Sequence, residues 1–525
     1  MPSCGEALIR LLERDGAEVA FGIPGVHTLE LYRGLAASSV RHVTPRHEQG
    51  AAFMADAWAR VTGRPGLCVL ISGPGLTNAI TPIAQAHHDS VPMLVVSGVV
   101  PKARRGEGEI HDLPDQQGLM AKVTAFSHEV RSPQELPEVL ARAREVFVSR
   151  RPRPVHLQIP VDVLQAEAGD AADAALTDPP PPPVAPQDAV EAAADRLAAA
   201  RNPLVLLGGG ARDAGTQALR VARLAGAPVG LTINGRGTID HDDELCLGSA
   251  LSFPPADALL READAVLMAG AEFSELETWG SAEPIELRGL IRIDIDAEQL
   301  GRRHAAELGL HGDAAATLRA IADALERRGR NGAARDAAAR VRAVRDGMRW
   351  PREVADFAPI VEAIDRAMPR DRIVAADSTK PAYAANHSLP MHEPRSWLMP
   401  IGYGCLGCAL PMAIGAKVAA PDRPVLALAG DGGVLFTIQE LATARDLGLA
   451  LPVVVFDNRG YGEIRDAMDG SGIPHVGTEV ATHDLPAVAR GFGCEGIRVG
   501  VEELEEGIVA ALDAAAPTVL EVRAG

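Results

Sequence analysis

A glycine-rich turn that carries one aspartate follows a short apolar run near residue 430. The turn reads Gly430-Asp431-Gly432-Gly433, and Asn458 follows the next apolar run, 27 positions after Asp431. Glycines after a strand let backbone N–H groups approach a phosphate, and the start of a following helix favours negative charge. An aspartate beside a phosphate needs a divalent cation between them, and Mg²⁺ prefers such oxygen ligands. The turn therefore predicts a site where a metal ion bridges the protein and a phosphate. In the simpler alternative, Asp431 only caps a helix and Asn458 only occupies a turn.

Short apolar runs alternate with longer amphipathic ones along the whole chain. This alternation is typical of α/β proteins, and runs without polar interruption indicate strands that are covered on both faces. The pattern predicts an α/β fold with three doubly wound parallel-sheet domains. The predicted strands are 67–72, 93–97, 155–159, 204–207, 265–269, 291–295, 425–429, 453–457 and 518–522.

A run of five prolines marks one domain boundary. It lies within residues 178–186, where successive prolines favour a stiff, extended linker. With a second, softer boundary, the predicted domains are residues 1–177, 187–325 and 355–525. The first and last domains also share a strand–glycine turn–helix–strand pattern. That pattern fits either two related domains that share a ligand or the general form of parallel α/β units.

The chain has 525 residues, and 47% of them are apolar, which is typical of globular proteins. The net charge of −19 disfavours binding to nucleic acid and to anionic membranes. The start of the chain shows no signal peptide, and no apolar run reaches the ~18 residues of a membrane-spanning helix. We therefore expect a cytoplasmic protein that binds neither nucleic acid nor membranes.

The turn at Gly430, its spacing to Asn458 and the following Gly460 resemble the thiamine-diphosphate motif. Several other segments resemble the same family, that of acetolactate synthase, benzoylformate decarboxylase and related 2-oxo-acid enzymes. These segments are Phe21-Gly22-Ile23-Pro24-Gly25, Arg46-His47-Glu48-Gln49-Gly50-Ala51, Ser72-Gly73-Pro74-Gly75 with Thr77-Asn78, Ile293-Asp294-Ile295-Asp296, and residues 402–407 followed by Ala409-Leu410-Pro411. The resemblance covers nearly the whole chain.

The resemblance implies thiamine diphosphate and Mg²⁺ as cofactors and assigns residues to them. Glu48 would be catalytic, because the family's glutamate hydrogen-bonds the pyrimidine ring and so activates the cofactor. Asp431, Asn458 and the carbonyl of Gly460 would bind the metal. The cofactor-binding residues would be Pro24, Gly25, Glu48, Asn78, Gly404, Leu406, Gly430, Asp431, Gly432, Gly433, Asn458 and Gly460. Without the resemblance, Glu48 is a first-turn acid that the helix dipole stabilises by ~0.3–1 kcal/mol.

The resemblance leaves open a flavin in the middle domain, where acetolactate synthases bind one. Glu272, Glu275 and Glu277 follow Gly270 in the corresponding segment, and a basic residue expected there is absent. Three carboxylates would repel a flavin pyrophosphate. We therefore expect no FAD.

Three segments, residues 111–116, 461–465 and 395–397, are expected near the substrate end of the site. Together they resemble bacterial 5-guanidino-2-oxopentanoate (2-ketoarginine) decarboxylases. The resemblance implies that the substrate is bordered by His111, Asp112, Asp115, Gln116 and Glu463. An acid there would pair with a guanidinium through two hydrogen bonds, although solvated surface acids are the plainer alternative.

The expected activity is the non-oxidative decarboxylation of a 2-oxo acid. An acetolactate-synthase-like carboligase is the first alternative, and a non-catalytic cofactor-binding or partner subunit is the second. By resemblance we expect a homodimer or homotetramer with active sites at the subunit interface.

Overall fold

The structure is a computed structural model that describes residues 1–279, 281, 283–329, 334–480 and 483–524. Over these residues the chain forms three six-stranded sheets, in which all neighbouring strands are parallel. Helices lie between most of the successive strands. The predicted α/β fold with three parallel sheets is therefore confirmed.

The strands have the following bounds. The first sheet contains β1 (Val19–Gly22), β2 (Arg41–Val43), β3 (Gly66–Leu70), β4 (Met93–Val99), β5 (Phe126–Glu129) and β6 (Val155–Pro160). The second contains β7 (Pro203–Leu207), β8 (Val229–Leu231), β9 (Cys246–Gly248), β10 (Ala265–Ala269), β11 (Ile291–Asp294) and β12 (Leu308–His311). The third contains β13 (Ile373–Ala376), β14 (Trp397–Leu398), β15 (Val425–Gly430), β16 (Pro452–Asp457), β17 (Glu495–Val499) and β18 (Thr518–Arg523).

The helices divide among the same three parts of the chain. The first part contains α1 (Cys4–Arg14), α2 (Leu29–Ala36), α3 (Glu48–Thr62), α4 (Pro74–Asn78), α5 (Ile80–His88), α6 (Gln116–Met120), α7 (Leu136–Val148) and α8 (Val161–Gln165). The middle part contains α9 (Gln187–Ala199), α10 (Gly215–Ala225), α11 (Ala256–Glu262), α12 (Ala314–Arg327) and α13 (Ala334–Gly347). The last part contains α14 (Arg352–Ala355), α15 (Ala358–Ala367), α16 (Lys380–Ser388), α17 (Ala409–Ala419), α18 (Asp431–Val434), α19 (Glu440–Asp446), α20 (Gly462–Gly470), α21 (Leu485–Gly491) and α22 (Leu504–Leu512).

The first and third sheets have the same topology. Their strand orders are β2-β1-β3-β4-β6-β5 and β14-β13-β15-β16-β18-β17. The middle sheet has the order β9-β8-β7-β10-β11-β12, which is the 3-2-1-4-5-6 order of doubly wound sheets. The likeness between the first and last parts of the chain therefore extends to their topology, and the middle part differs from both.

The proline-rich segment 178–186 contains no helix or strand, as predicted. Arg144 donates to the carbonyl of Thr177 at 2.9 Å, and the N–H of Asp313 donates to the carbonyl of Pro183 at 2.9 Å. The linker thus runs from the surface of the first part to that of the middle part. The domain boundaries themselves stay a prediction.

Helices α3 and α17 pack closely and join the first and last parts of the chain in one apolar core. Every residue of α3 from Gly50 to Arg60 is buried, and most of them are small. Gly415 of α17 lies against the backbone of Met54, where a Cβ atom would overlap the Met54 carbonyl oxygen. Glycine is therefore required at this crossing. Among the described residues, no helix is both long enough and apolar enough to cross a membrane.

Candidate active site

Glu48 lies at the first position of α3, beside the turn that follows β3. Nδ2 of Asn78 donates to Oε2 of Glu48 at 3.0 Å. A Cβ atom on Gly75 would lie 3.2 Å from Oε1 of the same carboxylate. The structure thus brings together Glu48 and Asn78, two residues predicted to bind the cofactor, and leaves Oε1 without a hydrogen-bond partner among the described residues.

Glu440 of α19 holds the start of α3 from the other end of the chain. Both of its carboxylate oxygens accept the backbone N–H of Arg46 at 3.1 Å, and Oγ1 of Thr443 donates to Oε2 at 2.6 Å. The side chain is completely buried, and burial raises the pKa of its carboxyl group. The sequence analysis missed Glu440, because no spacing rule connects residues 394 positions apart.

Three predicted metal ligands converge at the edge of the third sheet. Asp431 and Asn458 follow β15 and β16, which are neighbouring parallel strands, so both lie at the same edge. One terminal atom of the Asn458 amide lies 2.7 Å from the Gly460 carbonyl oxygen and 3.2 Å from Oδ1 of Asp431. Gly460 has a φ of +136°, a conformation that favours glycine.

The convergent atoms have two physical interpretations. If the Asn458 atom is nitrogen, it donates to both oxygens; if it is oxygen, three oxygen atoms face one another. Adjacent ligands of an octahedral Mg²⁺ ion with bonds of 2.0–2.1 Å lie about 2.9 Å apart, close to the observed separations. The ligand set therefore fits a hard divalent cation.

The carboxyl group of Asp431 is buried and carries an electrostatic cost. Burial raises its pKa, and the charge of Asp457 raises it further, whereas hydrogen bonds from nearby backbone groups oppose both effects. A cation at this position would offset the cost, because it would supply the missing opposite charge.

Asp377 is a second buried carboxylate at this edge, and the sequence analysis missed it. It follows β13, with Oδ2 accepting the N–H of Gly407 at 2.7 Å and Oδ1 accepting the N–H of Ser378 at 2.8 Å. A Cβ atom on Gly433 would lie 2.5 Å from Oδ2. Burial raises the pKa of Asp377 to about 6. This carboxylate therefore connects the loop before α17 to the glycine turn after β15.

The loop that carries Gly404 and Leu406 rests on helix α5 of the first part. Oδ1 of Asp89 accepts the N–H of Gly402 at 2.8 Å, and Oε1 of Gln85 accepts the N–H of Tyr403 at 3.1 Å. Leu406 is half-buried, and Gly404 has a φ of +66°. The loop can thus present an apolar side chain while its backbone is held in place.

The structure separates the five predicted substrate residues into two groups. Gln116 is buried, accepts the N–H of Gly73 at 3.2 Å and donates to Oγ of Ser97 at 3.1 Å, so it supports the glycine turn. Asp115 caps α6 through the N–H of Gly118, and Asp112 accepts the N–H of Gly106. These three side chains have partners near their own loop. His111 and Glu463 form the second group, and their polar atoms are free of such bonds among the described residues.

Glu463 is exposed in the first turn of α20, next to the predicted metal ligands. Burial raises the pKa of Tyr383, and the negative charge of Glu463 also contributes to raising it. Glu463 therefore lies close to Tyr383 of α16, at the same edge of the third sheet. Its carboxylate is available to a ligand.

A cavity of about 640 Å³ lies at the carboxyl end of the middle sheet. Its lining includes Gly210, Gly270 and six arginines, of which Arg60 and Arg395 pair with aspartates. Arg212 has no ion-pair partner among the described residues, so the predicted repulsion of a flavin has an opposing charge that the sequence analysis missed.

Two of the acidic side chains that line this cavity also have hydrogen-bond or ion-pair partners. Glu277 is buried and accepts the N–H and the hydroxyl of Ser274, both at 2.6 Å. Glu272 pairs with Arg151 at 2.7 Å. The charge argument against FAD is weaker than the sequence suggested, and the absence of FAD stays a prediction.

The raised pKa of Asp377 predicts a pH-dependent stability. A carboxyl group whose pKa is higher in the folded protein stabilises the fold in its protonated form, and this contribution is lost as the pH rises through the folded-state pKa. A rise from 3.8 to about 6 corresponds to about 3 kcal/mol. We expect the stability of the wild type relative to Asp377→Asn to fall by about this amount between pH 4 and pH 7. Thermal unfolding of both cofactor-free proteins across this range tests it, with exposed Asp422→Asn as the control. Parallel pH profiles for the wild type and Asp377→Asn would contradict the prediction.

Models of known protein families match three separate parts of this chain. The thiamine pyrophosphate enzyme models match in three places: the N-terminal TPP binding domain at residues 2–119, the central domain at 190–321 and the C-terminal TPP binding domain at 377–522. Together they span most of the chain.

Individual proteins match over nearly the full length. A Pseudomonas aeruginosa protein named "Probable 2-ketoarginine decarboxylase AruI" is 43% identical, covering 99% of this chain and 94% of that protein. The acetolactate synthase large subunit of Parasynechococcus marenigrum is 33% identical, covering 98% and 86%. The large subunit of acetolactate synthase isozyme 1 of Escherichia coli is 29% identical, covering 93% and 88%. This chain therefore belongs to the thiamine pyrophosphate enzyme family.

Proposed function

We propose that this enzyme decarboxylates 5-guanidino-2-oxopentanoate, using thiamine diphosphate and Mg²⁺. The observation that carries the proposal is the 43% identity, over nearly the whole of both chains, to a protein named as a 2-ketoarginine decarboxylase. The free carboxylate of Glu463 supports it, since a guanidinium entering a protein site needs an acidic partner.

The bound cofactor would supply the carbon nucleophile and accept the electrons released when CO₂ leaves. The protein residues position it. Oε1 of Glu48 is free to exchange a proton with the pyrimidine ring, while Asn78 holds Oε2. Asp431, Asn458 and Gly460 would bind Mg²⁺ beside the diphosphate, and the half-buried Leu406 would supply apolar contact to the cofactor.

The active site would form between two copies of the chain. Among the described residues, no hydrogen bond joins Glu48 to the Asp431 site. Large apolar side chains are exposed beside both halves: Val26 (60%) and Leu29 (57%) follow Pro24-Gly25, and Phe436 (48%) follows the glycine turn. A second copy that covers these side chains would bring Glu48 of one chain to Asp431 of the other. A homodimer or homotetramer would provide such an interface.

Removal of the metal should weaken cofactor binding. A diphosphate beside Asp431 is repelled unless a cation lies between them. We expect Asp431→Ala to lower the affinity for thiamine diphosphate by about 100-fold or more, and excess chelator to do the same to the wild type. Calorimetric titration with and without Mg²⁺ measures both effects, with exposed Asp422→Ala as the matched control. Equal affinity with and without the metal would rule out the assignment.

A shared active site predicts complementation between inactive variants. Glu48→Gln and Asp431→Ala should each be inactive alone. After subunit exchange, half of the dimers would be mixed and each would hold one intact site, so about a quarter of the wild-type activity should return. If both residues served the same site within one chain, no activity would return after exchange confirmed by mass spectrometry.

Substitution of Glu463 tests whether its carboxylate binds the guanidinium of the substrate. We expect Glu463→Gln to lower kcat/KM for 5-guanidino-2-oxopentanoate by about 10–150-fold, because a hydrogen bond to a charged group is lost. The analogue 2-oxopentanoate, which lacks the guanidinium, should be used equally well by both proteins. Asp112→Asn and Asp115→Asn serve as controls, since those carboxylates have local partners. A wild type that prefers pyruvate and accumulates acetolactate would replace this proposal with the carboligase alternative.

A further inference from the structure

Helix α3 begins without an acidic side chain of its own at the position that would complete its N-terminal cap. Its N-cap residue is His47, whose Nδ1 accepts the N–H of Gln49 at 3.1 Å. In a capping box, a glutamate or glutamine at the third helical position accepts the N–H of the N-cap residue. The third helical residue of α3 is Gly50, which has no side chain. The cap is therefore incomplete within the helix itself.

Glu440 of α19 occupies the place of the missing side chain. A Cβ atom on Gly50 would overlap Oε1 of Glu440 and lie 2.7 Å from its Cδ atom. The carboxylate accepts the N–H of Arg46 through both oxygens at 3.1 Å. Burial raises the pKa of Glu440, whereas hydrogen bonds from Thr443 and from the N–H groups of Arg46 and His47 oppose this rise. The last part of the chain thus supplies the capping acid of α3.

The donors around Glu440 indicate an ionised carboxylate. Oγ1 of Thr443 donates to Oε2 at 2.6 Å, and the N–H of Arg46 faces both oxygens, so both act as acceptors. The guanidinium group of Arg46 pairs with Asp446. The buried charge of Glu440 is stabilised by the start of α3, where the helix dipole favours negative charge. Two carboxylates, Glu440 and Glu48, therefore lie at the same helix start.

This arrangement leaves the carboxylate of Glu48 available. An acidic side chain in the first turn can bind the free N–H groups at the start of its own helix. At α3, Glu440 binds the N–H of Arg46, and the N-cap side chain binds the N–H of Gln49. Glu48 instead extends to the neighbouring turn, where its Oε2 accepts Nδ2 of Asn78 at 3.0 Å. The cap supplied by α19 and the direction of the Glu48 side chain are therefore linked.

We propose that Glu440 is a positioning residue for Glu48: it caps α3 in place of a side chain at position 50 and so keeps the Glu48 carboxylate directed at the cofactor. This proposal rests on the role of Glu48 in the function proposed above. Glu440 is completely buried and acts only through the start of the helix. Without the cap, the first turn of α3 would unwind or Glu48 would turn back to the freed N–H groups. Either change moves its carboxylate away from the cofactor.

Exchange of the thiazolium C–H of bound thiamine diphosphate in deuterated water measures activation of the cofactor without substrate. We expect Glu440→Ala to slow this exchange by about 10–100-fold, because small displacements of catalytic groups have effects of that size. Glu440→Gln should stay near the wild-type rate, since its amide oxygen can accept the N–H of Arg46 and its NH₂ group can donate to Thr443. The calorimetric affinity for thiamine diphosphate and Mg²⁺ should change little in both variants.

The matched control is the capping acid of another helix. In α1, Ser3 is the N-cap residue and its N–H donates to Glu6 at 2.8 Å, which completes a capping box. Glu6→Ala should leave the thiazolium exchange at the wild-type rate. In the cofactor-free proteins, amide hydrogen exchange should quicken by about 2–30-fold in the first turn of α3 for Glu440→Ala and in the first turn of α1 for Glu6→Ala.

A rescue variant returns the acid to α3 itself. In Glu440→Ala/Gly50→Glu, the new side chain enters the space that Glu440 vacates and can accept the N–H of His47, as in a capping box. Both the amide protection of α3 and the thiazolium exchange should recover. If Glu440→Ala does not fold, Glu440→Asp gives the same test, because it retains the charge but is one methylene too short to reach the N–H groups.

The outcomes separate this role from the one assigned to Glu48. Thiazolium exchange at the wild-type rate in Glu440→Ala, together with slow exchange in Glu48→Gln, would overturn the proposal. Equal slowing in Glu6→Ala and Glu440→Ala would also overturn it, because general destabilisation would then explain the effect. So would a loss of cofactor affinity as the main defect of Glu440→Ala. If Glu48→Gln itself exchanges at the wild-type rate, the role proposed for Glu48 fails first.

Discussion

The close contact between α3 and α17 is the constraint on which the rest of the site depends. Each helix starts at a functional segment: α3 begins with Glu48, and the loop that holds Leu406 leads into α17. Gly415 allows the two backbones to approach, because a larger residue would overlap the carbonyl of Met54. The buried apolar core around this crossing therefore fixes the relative positions of two segments that would serve the two different active sites of a dimer.

A buried ion network reinforces the same contact. Arg60, near the end of α3, pairs with Asp56 at 2.5 Å and with Asp89 at 2.9 Å, and all three side chains are at most 2% exposed. Asp89 also accepts the N–H of Gly402, at the start of the loop that carries Leu406. Loss of one partner would leave an uncompensated charge in the core, which is strongly destabilising. The network thus ties the end of α3 to the loop that precedes α17.

Three carboxylates lie at the carboxyl edge of the third sheet, and they differ in how their charge is compensated. Asp377, Asp431 and Asp457 end or follow three strands that are adjacent in the sheet. Asp457 pairs with Arg523 at 3.2 Å, whereas burial raises the pKa of both Asp377 and Asp431. The first sheet has the same strand order, and Glu48 lies at the start of the helix that follows its strand β2. Two sheets of the same topology therefore carry different side chains at corresponding edges.

The sequence by itself determined the fold class, most of the central strands and the motif that links Asp431 to Asn458. Central strands are buried on both faces, so they appear as continuous apolar runs, and all nine predicted strands are present. The central strands β1, β8 and β13 were missed, because they are short and contain glycine or alanine, which have low β propensity. Edge strands such as β2, β5 and β17 were missed, because half-exposed strands carry polar residues. Glycine turns were recognised because a local backbone conformation restricts residue type. Only the tertiary structure decided that Glu440 supports α3 and that Gln116 supports a turn. Those contacts join segments far apart in the chain, and their geometry depends on how packed elements meet, which no local pattern of residue types records.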